Sequence, residues 1–511
     1  MAKLVARSCV LLFLLVSAIV SQKSVATIVE GHKQQIVDVL PSNANLTYMG
    51  RWSVENADAP WAAWQGSSVS LNFSGTDLFV TLDAGSATEY FRVVIDGNTQ
   101  TSRKIAVKTG RSSYLVASNL TEGVHFVELI KETYEGSNAT FFGFSIRGAG
   151  AAILPPSSAH IRKMEFYGDS NLAGQSLESE RDEAATSLRG SFFGYAGITA
   201  RMFDASYHNI SVSGETISSL HKKYDRLDWH NAKLKWDFSS FTPDAVVVNL
   251  GANDVGKDKA EIKSDYHKLL NDLRAVHPDA HIVLFNAFGW DYNEPANYTH
   301  EVIEERSDSN MSVAVFPWVF EQFHGCEYDH AGMATVLAAH LQTVLGWEPN
   351  PSDVMSGFGK NGNVANGSFE EAAPFGGYAW RYDDNQGVSR IKNSAKAYHG
   401  AFFMKLTNQA EIHQPNPANN GNEVTIRVWL RGDKSGDQAK LTIDFRDQKI
   451  WTSPLQSESK TIELTTSWQQ YTMSATAPSN AERPVFHTRV TVGANRQTDG
   501  VNVDNITMTI N

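Results

Sequence analysis

The chain has 511 residues, 42% of them hydrophobic, so it is long enough for about three globular domains with their own apolar cores. Its 56 Asp and Glu outnumber its 44 Lys and Arg, and this acidic balance disfavours a nucleic acid or an anionic membrane surface as a partner. The surplus is small over such a length, and solubility is the simpler reason for it.

Residues 1–26 have the pattern of a secretory signal peptide. Lys3 and Arg7 precede an apolar run over residues 10–20, and Ser-Val-Ala at residues 24–26 offers a small-x-small cleavage site. No later stretch approaches the ~18 apolar residues that a membrane-spanning helix requires. We therefore expect a secreted, extracellular protein with no membrane partner.

Two further features bear on the secretory route. Of the two cysteines, Cys9 leaves with the signal peptide, so Cys326 has no intrachain disulfide partner. A small buried side chain is the favoured interpretation of Cys326, and a thiol nucleophile is the alternative. Asn-x-Ser/Thr sequons predict a glycoprotein if the host is eukaryotic. The nine sequons begin at Asn45, Asn72, Asn119, Asn138, Asn209, Asn297, Asn310, Asn366 and Asn505.

The region after the signal peptide, residues 27–150, has the pattern of an all-β domain. Apolar and polar residues alternate in short stretches that Gly, Asn and Asp turns separate, which predicts a β-sandwich. The alternating stretches are residues 69–73, 78–82, 90–95 and 124–130. The Gly-, Ala- and Pro-rich residues 148–158 then indicate a linker.

The central region, residues 159–348, changes to alternating strands and helices. Its strand candidates are continuous apolar runs, which is typical of strands buried on both faces. These runs cover residues 161–167, 245–250 and 282–287, and helical spacing follows at 263–277 and 333–345. The pattern predicts a three-layer α/β domain with a parallel sheet between helices. After a Pro- and Gly-rich junction, β patterns resume and predict a second β-sandwich over residues 363–511.

Three pieces of the central region suggest acyl-ester hydrolysis. Ser170, in Gly168-Asp169-Ser170, follows a predicted strand, so we expect its hydroxyl at the carboxyl edge of the sheet. Asn253 follows another strand, and its amide can donate to a developing oxyanion; Gly214 offers a backbone N–H for the same purpose. In isolation each residue is equally compatible with an ordinary turn.

A serine nucleophile needs a base to remove its proton. His330 is the best candidate, because it comes late in the region and just before the predicted final helix. A carboxylate that orients the imidazole could come from Glu327, which ranks first, or from Asp329. A simple Ser–His dyad stays open. No Gly-x-Ser-x-Gly motif surrounds Ser170, which disfavours an α/β-hydrolase.

These blocks, in this order, resemble those of the SGNH (GDSL-type) hydrolases. The preceding β domain, Trp236-Asp237-Phe238 and the segment at residues 243–254 are similar to carbohydrate esterase family 2, a jelly roll joined to an SGNH domain. Glutamate at position 327 stands where that family usually has aspartate, and Ala173 where it usually has threonine.

The resemblance implies a metal-independent carbohydrate O-acetylesterase, with no cofactor, that acts on an acetylated polysaccharide such as xylan or glucomannan. Ser170 would be the nucleophile and His330 the base, and the N–H groups of Ser170 and Gly214 with the Asn253 amide would form the oxyanion hole. Trp290 could stack on a sugar of the substrate, although a packing role is equally compatible with its position.

The C-terminal region resembles family 4/9-type carbohydrate-binding modules, which implies a carbohydrate ligand there. The candidate stacking residues are Trp380, Tyr382, Trp429 and Trp451. Two other functions stay open: an esterase or lipase for other acyl groups, and a carbohydrate-binding protein without catalytic activity.

Overall fold

The protein is described from a computed structural model. It covers residues 35–179, 184–287, 298–316, 324–350, 364–370, 380–382, 387–447, 453–485 and 487–511. Trp290 and Trp451 lie outside the described residues. None of the helices in these ranges combines the length and the apolar character that crossing a lipid bilayer requires.

The N-terminal region consists of two six-stranded antiparallel sheets. One has the order β3-β4-β11-β6-β9 with β1 on β11, and the other has the order β12-β5-β10-β7-β8 with β2 on β5. Side chains from both sheets form one hydrophobic cluster. The strands are β1 Gln35–Val39, β2 Thr47–Met49, β3 Trp52–Ser53, β4 Trp61–Ala62, β5 Ser68–Ser74, β6 Asp77–Asp83, β7 Glu89–Ile95, β8 Arg103–Val107, β9 Ser112–Ala117, β10 Val124–Lys131, β11 Ala139–Gly148 and β12 Ala152–Ile153.

The four alternating stretches of the sequence all lie in strands of these sheets, because alternation places their apolar side chains on the face towards the shared cluster. The segment expected to be a linker differs from the prediction. Ala152 and Ile153 pair with Ser74 and Phe73, so the N-terminal sheet continues past residue 150.

The central region contains a five-stranded parallel sheet of order β14-β13-β17-β18-β19 with helices around it, and a two-stranded hairpin. Its strands are β13 Arg162–Gly168, β14 Ala205–Ser211, β15 Arg226–Asp228, β16 Asn231–Lys235, β17 Ala245–Asn249, β18 His281–Ala287 and β19 Met311–Phe316. Its helices are α1 Tyr195–Met202, α2 Ile217–His221, α3 Lys259–Val276, α4 Tyr298–Arg306 and α5 Glu327–Leu345. The parallel sheet expected from the apolar runs is confirmed.

The register of the sheet places the carboxyl ends of three strands side by side. Gly168, the last residue of β13, lies beside Ser211 of β14 and Asn249 of β17. Because the three strands are parallel, the loops that follow them leave the sheet at the same edge. Ser170, Gly214 and Asn253 lie on those three loops.

The C-terminal region has two five-stranded antiparallel sheets, of order β20-β23-β28-β25-β26 and β21-β22-β29-β24-β27. Side chains from both sheets form a single hydrophobic cluster. The strands are β20 Arg381–Tyr382, β21 Val388–Lys392, β22 Phe402–Leu406, β23 Glu411–Pro417, β24 Glu423–Gly432, β25 Gln438–Arg446, β26 Gln456–Glu463, β27 Gln469–Thr476, β28 His487–Ala494 and β29 Val501–Ile510.

Two of the predicted glycosylation sites are incompatible with a glycan in the folded protein. Asn209 is buried and its side-chain amide donates to the carbonyl of Leu172. Asn366 is also buried. An attached sugar needs an exposed side-chain nitrogen, so neither residue can carry one.

Candidate active site

Ser170 lies two residues past the end of strand β13, at the carboxyl edge of the sheet. The turn that holds it is closed by backbone hydrogen bonds: Ala173 N donates to Asp169 O at 2.9 Å, and Gln175 N donates to Ser170 O at 3.0 Å. The Ser170 side chain is largely enclosed, with 6% of its surface exposed. A hydroxyl in this position can react if a base lies within hydrogen-bonding distance.

The imidazole beside Ser170 is that of His324. Its Nε2 lies 2.9 Å from Ser170 Oγ. His324 is on the loop that precedes helix α5, and the next residue, Gly325, directs its backbone N–H towards Asn171 Oδ1 at 3.5 Å. Asn171, which follows the serine, therefore contacts Gly325, which follows the histidine, and this contact links the two loops.

His330, the expected base, does not occupy this position. It lies within the first turns of helix α5, fully buried, where its Nδ1 accepts the backbone N–H of Tyr195 at 3.2 Å and its ring stacks on the Tyr195 ring. Burial, and next the nearby His324 imidazole, lower the pKa of His330 to about 3. A residue held neutral in this way is a poor proton acceptor at working pH.

The reason for the difference is where the last helix begins. The apolar spacing predicted a start at residue 333, which would leave His330 in the loop before the helix. The helix begins at Glu327, and a capping box between Cys326 and Asp329 closes its first turn. The loop before the helix therefore contains His324 in place of His330. Cys326 and Asp329 are not the Ser or Thr and Glu or Gln pair that usually marks a capping box, so the sequence carries no clear signal for this start.

Glu327 and Asp329 do not orient the imidazole of His324 in the described hydrogen bonds. Asp329 Oδ2 accepts the Cys326 backbone N–H at 3.0 Å as part of the helix cap. Both carboxylate oxygens of Glu327 are buried without a hydrogen-bond partner among the described residues. Burial and then the nearby Glu178 raise the pKa of Glu327 well above its usual value, although Arg92 and Lys104 oppose the rise.

Asn253 lies on the short turn Ala252–Asp254 and faces the nucleophile loop. Its amide nitrogen donates to Glu215 O at 2.9 Å and contacts Asp169 Oδ2 at 3.4 Å. The preceding Gly251 makes this turn possible: its φ is +128°, and a Cβ there would lie 2.0 Å from the Tyr298 hydroxyl oxygen. The Asn253 amide therefore contacts the loop that carries Ser170, through Asp169.

Gly214 is on the loop after strand β14, with a φ of +82°, in the left-handed region that favours glycine. The preceding residue ties this loop to the nucleophile loop, because Ser213 Oγ donates to Gln175 Oε1 at 2.6 Å. The three loops that were expected to form the site therefore meet. Trp290 lies outside the described residues, so its predicted stacking role stays a prediction.

Asp169 is a buried carboxyl next to the nucleophile. Its Oδ1 accepts the Asn171 backbone N–H at 3.0 Å. Burial raises the pKa of Asp169 to about 7; the hydrogen bond from Asn171 opposes the rise and the nearby Asp254 adds to it. Asp169 therefore braces the turn that holds Ser170.

Cys326 is buried, as its favoured interpretation required, and burial raises the pKa of its thiol to about 12. This protonated thiol cannot compete with Ser170 as a nucleophile. In the described part of the chain, no three His, Cys, Asp or Glu side chains gather closely enough to bind a metal ion.

Three of the four candidate stacking residues of the C-terminal region, Trp380, Tyr382 and Trp429, lie in the described residues, and none of the three is exposed. Trp380 is buried, with its Nε1 donating to Asn366 O at 3.0 Å. Tyr382 packs against the hydrophobic cluster. Trp429 lies beneath the Tyr398 ring, with 3.7 Å between the ring centroids and 15° between the ring planes. Tyr398 is the more exposed member of that pair, at 42%.

Comparison with known proteins agrees with this arrangement of domains. Residues 48–156 match the family Carbohydrate esterase 2 N-terminal, and residues 166–319 match the GDSL-like Lipase/Acylhydrolase family. The chain is 30% identical over 331 residues to Cellulase/esterase CelE of Acetivibrio thermocellus, an alignment that covers 60% of this chain and 40% of CelE. The chain thus matches less than half of that relative's length.

Solved structures of family two carbohydrate esterases are similar to this one. A family two carbohydrate esterase from Clostridium thermocellum, in complex with cellohexaose, is 29% identical with a TM-score of 0.54, and the match covers 59% of this chain and 99% of that one. A family two carbohydrate esterase from Cellvibrio japonicus shares the fold, with 20% identity, a TM-score of 0.56, and coverage of 62% and 99%.

Neither family match extends into the C-terminal region, so the resemblance of that region to carbohydrate-binding modules stays a prediction. The chain therefore has a β-rich region that matches the Carbohydrate esterase 2 N-terminal family, then a parallel-sheet region that matches the GDSL-like Lipase/Acylhydrolase family, and then a third region of antiparallel sheets.

Proposed function

We propose that this protein is a secreted serine esterase that removes O-acetyl groups from a polysaccharide, with Ser170 as nucleophile and His324 as base. The observation that carries the proposal is the 2.9 Å distance between Ser170 Oγ and His324 Nε2 at the carboxyl edge of the parallel sheet. The proposed chemistry needs only a serine, an imidazole and hydrogen-bond donors for the oxyanion.

The first half of the reaction forms an acyl-enzyme. With its own proton on Nδ1, His324 accepts the Ser170 proton on Nε2 while Oγ bonds to the carbonyl carbon of the ester. The negative charge moves to the carbonyl oxygen, where the N–H groups of Ser170 and Gly214 and the Asn253 amide would stabilise it. The bond from carbon to the sugar oxygen then breaks, and His324 gives its proton to that oxygen.

The second half releases the acid. A water molecule gives a proton to His324 Nε2 as its oxygen bonds to the acyl carbon, and the bond from Ser170 Oγ to that carbon then breaks. His324 returns the proton to Oγ, so acetic acid leaves, loses its remaining proton to water as acetate, and the starting enzyme is restored. A Ser–His dyad suffices for each of these steps.

The substrate class rests on the relatives. CelE is named a cellulase/esterase, and the similar esterase from Clostridium thermocellum was solved with cellohexaose. We infer that this chain also acts on a plant-type polysaccharide, such as acetylated xylan or glucomannan. The signal-peptide pattern of residues 1–26 supports secretion, and such a polysaccharide is met outside the cell.

The central test compares three variants on an acetylated aryl ester. Ser170→Ala and His324→Gln should each lower kcat about 10³-fold or more, because each removes a member of one reacting unit. His330→Asn is the matched control, because its side-chain oxygen can still accept the Tyr195 N–H; we expect its kcat to stay within about tenfold of the wild type. Circular dichroism would verify the fold of all three.

The outcomes separate the possible assignments. Retained activity in Ser170→Ala would contradict the esterase proposal. Loss of activity in His330→Asn with retention in His324→Gln would return the role of base to His330. Acetate release from acetylated xylan, glucomannan and pectin would then identify the substrate, and activity on butyryl or longer esters would favour a broader acyl esterase.

A further inference from the structure

The N-terminal domain contributes a side chain to the surroundings of the active site. Tyr134 lies between strands β10 and β11, only 5% exposed. Together with Trp64 it belongs to a hydrophobic cluster of the central domain, and not to the cluster between the two N-terminal sheets. Two aromatic residues of the N-terminal domain are therefore part of the core of the catalytic domain.

The Tyr134 hydroxyl meets the loop that contains Gly214. Its oxygen accepts the backbone N–H of Ser213 at 3.0 Å and Arg189 Nη1 at 3.2 Å. The tyrosine itself is held in place by Trp229, whose Nε1 donates to the Tyr134 carbonyl at 3.1 Å and whose ring packs edge-on with the centroids 5.7 Å apart. The hydroxyl is thus a fixed acceptor.

The residue that Tyr134 holds is directly adjacent to the glycine of the proposed oxyanion hole. Ser213 precedes Gly214, and the Ser213 hydroxyl donates to Gln175 Oε1 at 2.6 Å. Gln175 in turn donates its backbone N–H to the carbonyl of Ser170 at 3.0 Å. A continuous chain of hydrogen bonds therefore runs from Tyr134 through Ser213 and Gln175 to the nucleophile.

We propose that Tyr134 is a positioning residue for the oxyanion hole: its hydroxyl fixes the peptide between Val212 and Ser213, the one before the Gly214 N–H, so that the Gly214 N–H points at the developing charge. The inference rests on the proposed esterase function. Catalysis by such donors depends on their direction before the reaction begins, because a donor that must reorient during the reaction stabilises the charge less. The N-terminal domain would thus complete the active site.

Tyr134→Phe tests this, since it removes one oxygen and retains the ring in the cluster. On an acetylated aryl ester we expect kcat to fall about tenfold with KM unchanged, because the lost contact acts on the transition state and not on substrate binding. Tyr114→Phe is a matched control: in the same domain, its hydroxyl accepts the backbone N–H of Lys108, also at 3.0 Å. That variant should retain the kcat of the wild type.

Thermal unfolding separates positioning from general destabilisation. If Tyr134→Phe lowers Tm as little as Tyr114→Phe but alone lowers kcat, the positioning role is supported. Equal kcat in both variants, or a Tyr134→Phe defect confined to KM or Tm, would overturn it. If the wild-type enzyme hydrolyses no ester, both the proposed function and this inference are refuted. If the wild type is active and the Tyr134→Phe variant is unaffected, the inference alone is refuted.

Discussion

Strand β13 and the turn that follows it carry two buried carboxyl groups whose surroundings differ in kind. Glu165, within the strand, lies 2.8 Å from Arg51 of the N-terminal domain and 3.1 Å from His208 Nδ1, and its other oxygen lies 2.7 Å from His277 Nε2. Asp169, just past the strand, meets the N–H groups of Asn171 and Asn253 and lies near the acidic Asp254.

The two pKa values shift in opposite directions. Burial alone would raise the pKa of Glu165, but the charge of Arg51 and the two histidine contacts outweigh burial and hold that pKa well below its usual value. At Asp169 burial prevails, and the pKa rises to about 7. Glu165 thus belongs to a charged cluster that holds two domains together. Asp169, four residues later, is an uncompensated acid beside the nucleophile. The fold tolerates the uncompensated acid where the proposed reaction takes place.

The largest effect on stability should follow from breaking the charged cluster. Arg51→Met leaves the Glu165 carboxylate buried without its cation, and it also removes the guanidinium hydrogen bonds to the carbonyls of Tyr224 and Arg226. We expect a loss of about 3–5 kcal/mol in the free energy of unfolding at pH 7. Urea unfolding monitored by tryptophan fluorescence would measure it.

A surface ion pair provides the control for this prediction. Lys235 lies 2.6 Å from Asp225, and its side chain is 54% exposed. Lys235→Met should cost no more than about 1 kcal/mol, because water already solvates both charges. If Arg51→Met were equally mild, Glu165 would have to take up a proton at low cost, and the contrast with Asp169 would disappear.

The second prediction concerns the pH dependence of stability at Asp169. An acid whose pKa is higher in the folded state favours folding at low pH, and that contribution is lost as pH rises from about 4 to about 7. Asp169→Asn removes the titration while its side-chain oxygen can still accept the Asn171 N–H. Between pH 5 and pH 8, the wild type should lose about 2–4 kcal/mol more stability than the variant.

Unfolding at several pH values would test this, with Asp58→Asn at an exposed site as the control. Parallel pH curves for the wild type and Asp169→Asn would mean that Asp169 is ionised in the folded protein at neutral pH, as Glu165 is. Glu165 should act in the opposite sense, because a lowered pKa gives stability that is lost when pH falls.

The sequence was sufficient for the features that depend on local patterns. Continuous apolar runs predicted strands β13, β17 and β18, and the motif at Gly168-Asp169-Ser170 predicted a serine at the carboxyl edge of the sheet. The loops that follow parallel strands leave the sheet at the same edge, so the meeting of the loops that carry Gly214 and Asn253 with the nucleophile loop could also be anticipated.

Features that depend on distant contacts could not be predicted. The position of His324 depends on the first residue of helix α5, where a capping box and not an apolar repeat sets the boundary. The pairing of Arg51 with Glu165, and that of Tyr134 with Ser213, joins two domains, and no local pattern encodes it. The opposite pKa shifts of Glu165 and Asp169 arise from such contacts, so they too required the structure.

The smallest effect should come from the contact between the C-terminal region and helix α5. Tyr328, in the first turn of the helix and close to the base-bearing loop, donates its hydroxyl to the Pro415 carbonyl at 2.9 Å in a buried position. Tyr328→Phe leaves that carbonyl without this donor, for an expected cost of about 1–2 kcal/mol, or roughly 2–4 °C in Tm.

Tyr471→Phe is the control for Tyr328→Phe, because among the described residues its hydroxyl bonds a surface side chain, Gln469, at 3.0 Å; we expect no measurable change. A Tyr328→Phe loss as large as that of Arg51→Met would mean that the C-terminal region holds the catalytic domain as firmly as the N-terminal domain does. The expected smaller loss follows from the chemistry of the contacts: a neutral hydrogen bond leaves one unsatisfied carbonyl when broken, whereas the Arg51–Glu165 pair leaves a buried charge.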